Sequence, residues 1–427
     1  MGAITLLTEE NMALDINYVR QQFPALTLGG LYLDNPGGSQ VVRHCLQAME
    51  HYLIETNSNR GGAFTTSLAS DAVITRSRQA LASLLHAAKP EEIVFGPNMT
   101  SITLAVSRSL AVLLEPEDEL IVTRLDHDAN ISPWLQAADS AGCQLHWIDF
   151  DRASGRLNLD QLEAKLNDRT KLVAVGYASN ALGTINPIGQ ICQMARQVGA
   201  WTYVDAVQYA PHGPIDVQQL DCDFLVASAY KLFGPHLGFL YGRYDLLNQL
   251  PAFKVRPASN LPPGKFETGT QNHEGISGLL GTMDYLADLG DRFGQAAKLE
   301  LQPRYHGRAL DLKAAMSTIG QYEHDLTQYL LERLDAVEGI QIYGPPSSKD
   351  RVPTVSFRLG DLEPRQVAKR LGEQDIYLWD GNFYALAVTE HLGLEQSGGL
   401  VRVGLVHYNT RAEVDQLIEA LQQLSAS

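Results

Sequence analysis

The chain has no cysteine beyond Cys222 and only four in all, at positions 45, 143, 192 and 222. Thiols so few, widely spread and without paired spacing argue against a disulfide framework or a zinc site, and no metal is expected. A reduced, cytoplasmic setting fits them best. No apolar run approaches the roughly 20 residues that cross a bilayer. The N-terminus carries Glu9, Glu10 and Asp15 and lacks a basic start followed by an apolar core, so no signal peptide is expected. Positive charge is scarce: 33 Lys and Arg stand against 49 Asp and Glu, a net charge of -16. That balance argues against nucleic acid or an anionic membrane as partner, since both attract basic surfaces. An anionic ligand has to be gripped by local groups.

What is present is a long α/β pattern. With 427 residues, 45% of them hydrophobic, the chain can bury a large core. Apolar, β-branched runs at 92–96, 119–125, 143–149, 171–177, 201–206, 224–229 and 238–242 alternate with helical patterns such as 71–88, 100–113 and 189–199. This alternation predicts a mostly parallel sheet between helices, with ligands beyond the carboxyl ends of its strands. After about residue 290 the texture changes. A polar helical stretch over 291–338 precedes an α+β pattern: strand 352–359, helix 363–374, strands 376–380 and 400–406, and a last helix from Thr410, which with Glu413 forms a capping box. The expected domains are a segment 1–29 packing with the small domain, a large domain 30–290 and a small C-terminal domain 291–427.

Two charged residues stand at the ends of apolar strands in WTYVDAVQYAPHGPIDVQQLDCDFLVASAYK, residues 201–231. Asp205 closes the first strand and Lys231 follows the second. Either could be ordinary, Asp205 as a cap and Lys231 as an exit to solvent. Together they suit one chemistry. A lysine amine of lowered proton affinity condenses with an aldehyde, and a carboxylate facing a pyridine nitrogen keeps it protonated, making the ring an electron sink. The pair fits pyridoxal 5'-phosphate.

Further motifs follow in order: LYLDNPGGSQ at 31–40, LDHDAN at 125–130, SNALGTINP at 179–187, VDAVQ at 204–208, SAYKLFGP at 228–235, FETGT at 266–270 and VRVGLVHYNTRAEVDQL at 401–417. With these motifs the chain resembles the class V aminotransferases of pyridoxal phosphate fold type I, and most nearly the SUF-type cysteine desulfurases. The resemblance implies that fold, a large α/β domain plus a smaller α+β domain. It implies that Lys231 carries the cofactor, that Asp205 pairs with the ring nitrogen and that His127 stacks on the ring. It makes Asn180 and Gln208 donors to the phenolic oxygen. Free N–H groups at a helix start near Asn98, Met99 and Thr100 suit the phosphate, although an N-cap at Asn98 reads equally well. Ser228 matches a family phosphate ligand, and Tyr230 stands where desulfurases usually carry histidine. Thr270 resembles the residue that reaches the phosphate of a neighbouring subunit, which implies a homodimer with shared active sites.

Arg402 lies within an apolar strand, where a charge is costly without an anion. It is read as the clamp for the substrate carboxylate, against a structural ion pair. The resemblance breaks at IYLWDGNFYALAV, residues 376–388, where desulfurases carry the nucleophilic cysteine. Aligned on Gly381, Tyr384 takes its place, and Asn382 and Tyr384 are read as lining the substrate pocket. Trp379 stands where desulfurases tend to place an arginine. Cys45 reads as a buried, inert thiol. The expected activity is therefore pyridoxal phosphate chemistry on a small amino acid, with C–S bond cleavage by β-elimination as the first reading. Aminotransfer and epimerisation are alternatives, and a cofactor-binding protein without catalysis is a third.

Overall fold

The computed structural model describes residues 14–426. The N-terminal reading that used Glu9 and Glu10 lies outside them. In chain order the strands are β1 (Leu31–Tyr32), β2 (Ile93–Gly96), β3 (Glu119–Thr123), β4 (Gln144–Ile148), β5 (Thr170–Gly176), β6 (Trp201–Asp205), β7 (Phe224–Ser228) and β8 (Gly238–Gly242). There follow β9 (Ile340–Tyr343), β10 (Thr354–Leu359), β11 (Ile376–Tyr377), β12 (Trp379–Gly381) and β13 (Leu400–Gly404).

Seven of these form one sheet in the order β2-β8-β7-β6-β5-β3-β4, parallel except for β8. They coincide with the seven runs read from the sequence. Every residue of β2, β3, β7 and β8 is buried. Strands covered on both faces need continuous apolar runs rather than alternation, which is why they were legible. The helices Thr65–Leu85, Met99–Ala111 and Ile188–Gln197 overlap the three helical patterns. The parallel register Gly176↔Asp205 brings the ends of β5 and β6 level, and β7 beside them ends on Ser228.

The second sheet is antiparallel, in the order β12-β13-β10-β9. Its apolar face packs with the long helix Gly307–Asp335 and the last helix Arg411–Ser425 in a separate cluster that includes Leu330, Val355, Phe357, Val401 and Leu417. The capping box is present: Glu413 N–H donates to Thr410 Oγ1 at 3.2 Å, and Thr410 N–H to Glu413 Oε2 at 3.0 Å. Three local readings need revision. The run 376–380 is two strands, β11 pairing with β1 and β12 with β13; a change of partner leaves hydrophobic periodicity intact. The stretch 291–338 is broken at Gly294 and around Pro303, where proline removes a helical N–H. Strand β9 was not foreseen. The described part of the N-terminal segment touches both units: Arg20 pairs with Glu413 at 2.8 Å, while Tyr18 donates to Asp288.

Candidate active site

Beyond the ends of β5, β6 and β7 lies a cavity of about 500 Å³. Its wall gathers all ten cofactor-site residues expected from the large domain apart from Thr270: Asn98, Met99, Thr100, His127, Asn180, Asp205, Gln208, Ser228, Tyr230 and Lys231. Thr270 is exposed on a separate groove with His236 and Asn272.

Lys231 ends a short 3-10 turn after β7 and is buried. Burial, and next Arg402, push its pKa below that of a free lysine, while Asp205 and Asp34 partly oppose the shift. The amine is therefore more readily deprotonated, as imine formation requires. Asp205 is also buried; desolvation raises its pKa, against the pull of the Val207 N–H at 2.9 Å and of Lys231. A positive group at its free face would restore the ionised form.

His127 is held neutral, its pKa depressed to about 3 by burial and then by Lys231 and Arg402. Its Nδ1 accepts the Ala129 N–H at 3.0 Å, so the one ring proton sits on Nε2. At the start of the helix Met99–Ala111, Ser101 N–H caps onto Asn98 Oδ1 at 2.8 Å, and Met99 N–H donates to Ser228 Oγ at 3.1 Å. A helix start beside a serine hydroxyl is a site for an anion.

The remaining site residues lie at the rim. Arg402 is buried; its Nη2 meets Asp34 Oδ1 at 2.8 Å, its Nη1 meets the Asn180 carbonyl at 3.1 Å, and its Nε has no partner among the described residues. Of the two readings of Arg402 the structure shows the ion pair, and the Nε is left as a donor. The pair joins Arg402 to Asp34, which falls in the large-domain range 30–290. Tyr384 does not line the cavity but stacks on His127, 5.7 Å between centroids and 20° between planes. Asn382 turns away, donating to Glu395 at 3.1 Å. Cys45 is buried against Met49, its thiol pushed up to about 11 by desolvation.

Sequence reasoning missed Asp126. It lines the cavity, is fully enclosed, and is pushed well above the carboxylate range by burial and then by Asp205. Its Oδ1 accepts the Gly176 N–H, and a Cβ at position 176 would fall 2.4 Å from that oxygen. The signal that singled out Asp205, an acid just beyond an apolar strand, was present here too.

The comparisons with known proteins agree with this geometry. The model of the aminotransferase class V family matches residues 31–315 and 306–417. The chain belongs to the class V aminotransferases. It is 33% identical over 424 residues to a probable cysteine desulfurase of Synechocystis, covering 95% of this chain and 94% of that protein. It is 34% identical over 424 residues to an aminotransferase-like protein, FGM3, of Gibberella zeae, covering 96% and 99%. The apo structure of a cysteine desulfurase from Thermococcus onnurineus superposes with a TM-score of 0.85 at 28% identity, over 96% of this chain and 98% of that one.

Class V aminotransferases depend on pyridoxal phosphate, and the residues present fit it. The helix start with Ser228 suits the phosphate and Asp205 the ring nitrogen. Among the described residues two cavity-lining amides each keep a buried oxygen without a partner, Asn180 Oδ1 and Gln208 Oε1, while the NH2 groups that the resemblance makes donors to the phenolic oxygen are engaged, Asn180 Nδ2 with the Phe383 carbonyl at 2.8 Å and Gln208 Nε2 with Thr354 Oγ1 at 2.9 Å. Such orphaned groups cost about 1–3 kcal/mol until a ligand or water meets them. The chain is thus a pyridoxal phosphate enzyme of the cysteine desulfurase-like type. Among the described residues no helix is long and apolar enough to cross a membrane.

Proposed function

We propose that this enzyme cleaves a C–S bond of a small sulfur amino acid by β-elimination, without an enzyme thiol. The observation that supports the reading is the stack of Tyr384, the residue that the resemblance puts at the place of the desulfurase nucleophile, on the cavity-lining His127. A phenol accepts no sulfur atom. Of the four cysteines, three are buried and Cys143 is half-buried on the edge of the sheet.

Bound pyridoxal phosphate supplies an electron sink for the pair left at the substrate Cα. The chain's residues do the rest. Arg402 receives the substrate carboxylate, using its unpartnered Nε and loosening its bond to Asp34. Lys231, the residue that would hold the cofactor, would take the Cα proton on Nζ; its lowered pKa suits a base near neutrality. Asp205 keeps the ring nitrogen protonated. His127, neutral and with its proton on Nε2, donates a hydrogen bond without adding a charge. Sulfur then leaves with the bonding pair.

Two further parts of the reading concern assembly. We propose a cytoplasmic homodimer in which Thr270, exposed and outside its own cavity, serves the partner's phosphate site. Aminotransfer is the second reading, favoured by the similarity to an aminotransferase-like protein. Product analysis on a panel of sulfur amino acids separates the options. Pyruvate with ammonia supports elimination, whereas consumption of an added keto acid supports aminotransfer.

A further inference from the structure

Beside the cavity, on the small-domain side, is a surface opening of about 580 Å³ lined by Trp379, Asp380, Asn382, Tyr384 and Glu395. Two observations tie it to the active site. Trp379 stands directly opposite Arg402 in the antiparallel β12–β13 register, and residues so paired share a face of the sheet. Tyr384 stacks on His127, which lines the cavity. The opening therefore adjoins both the carboxylate fork and the reacting centre.

Its walls are unusual for a protein surface. Trp379 is 57% exposed and Tyr384 76% exposed. Tyr384 is held in this position under strain. Phe383 and Tyr384 have φ of 57° and 56°, a left-handed backbone that non-glycine residues rarely adopt and that persists where the surroundings enforce it. Enforcement comes from the large domain. Asn180 Nδ2 donates to the Phe383 carbonyl at 2.8 Å and Asp128 N–H to the Tyr384 carbonyl at 2.7 Å.

The carboxylates of the opening are engaged. Asp380 pairs with Arg365 at 3.1 Å, and Glu395 accepts from Asn382 and Thr389. Arg365 offsets Asp380, whereas Glu395 accepts from the neutral donors Asn382 and Thr389, so its negative charge opposes an anionic group. What remains on offer is two aromatic faces. Cysteine has nothing beyond its sulfur to fill such a space.

We propose that this opening selects cysteine S-conjugates carrying a flat, apolar substituent on sulfur, with Trp379 and Tyr384 as specificity-determining residues. The proposal rests on the C–S lyase reading and names its substrate class. The reaction balances without an oxidant or reductant: conjugate plus water gives pyruvate, ammonia and the free thiol. The Cα proton goes to Lys231, and the C–S bonding pair leaves on sulfur, which takes up a proton.

The test compares cysteine, S-benzylcysteine, S-(2-aminoethyl)cysteine and S-carboxymethylcysteine on the holoenzyme. Binding is read from the change in cofactor absorbance, and products are measured separately. S-benzylcysteine is expected to bind about tenfold more tightly than cysteine, consistent with one stacking contact plus burial, and S-carboxymethylcysteine is expected to bind most weakly. In Trp379→Ala and Tyr384→Ala the benzyl-to-cysteine ratio falls toward one, while Trp379→Phe retains most of it and guards against misfolding. Equal binding of benzyl and carboxymethyl conjugates, or a preference for the aminoethyl one, overturns the proposal. A benzyl preference without pyruvate formation supports the pocket and removes the lyase reading; pyruvate formed with no preference does the reverse.

Discussion

The phenol ring of Tyr384 lies nearly parallel to the imidazole of His127, with 5.7 Å between centroids. This stack joins the small domain to a residue of the cofactor cavity. Tyr384→Phe keeps the stack and is expected to hold kcat/KM within about threefold of wild type. Tyr384→Ala loses it, and about 1 kcal/mol of aromatic contact corresponds to a fall of about fivefold. Steady-state kinetics on the preferred substrate measures both. A Phe variant as impaired as the Ala variant would assign the role to the hydroxyl instead.

Asp126 has no cationic partner among the described residues and is pushed up first by burial and next by Asp205. A carboxyl whose folded pKa is raised above its unfolded 3.8 stabilises the fold less as pH climbs through that interval. Asp126→Asn, which retains the acceptor for the Gly176 N–H, is therefore expected to flatten the decline of Tm from pH 4 upward. Asp126→Ala leaves that N–H unpaired, at a cost of about 1–3 kcal/mol. Thermal melts of the three proteins across pH decide the matter, and an Asn variant with the wild-type slope contradicts it.

Reconstitution of the apoprotein tests Lys231. Only the neutral amine attacks the cofactor aldehyde, and burial lowers the pKa of Lys231. The rate of cofactor uptake is expected to rise with pH and level off at least one unit below the ~10.4 of a free lysine. A rate still climbing at that value would mean an unperturbed amine.

Cys45 is the thiol nearest in sequence to the LYLDNPGGSQ motif. With a pKa of about 11, roughly one part in ten thousand is thiolate at neutral pH. Cys45→Ala is expected to leave turnover unchanged and to cost about 1–2 kcal/mol of stability through lost packing. Mass spectrometry of the wild type during turnover should find no persulfide on it; its appearance would restore a desulfurase route.

The parts of the fold legible in the sequence were those in which one strand carries its own signature. The parallel strands β3, β5, β6 and β7 are largely apolar runs, and Asp205 and Lys231 stand out because charge is misplaced at such ends. Relations between distant segments left no such trace. Arg402 and Asp34 are 368 positions apart, and nothing in an isolated arginine tells which carboxylate it meets. The stack of Tyr384 on His127 depends on two left-handed residues whose conformation is imposed by Asn180 and Asp128. Asp126 differs: its position carried a readable signal, obscured by the neighbouring His127.

The chemistry proposed for this enzyme depends on where the cofactor is covalently held. Borohydride reduction of the holoenzyme followed by peptide mapping locates it directly. The result expected is a single modified peptide containing SAYKLFGP, with the cofactor mass on Lys231 and none covalently attached after Lys231→Ala. Modification of another lysine, or cofactor still covalently trapped in that variant, would contradict the assignment.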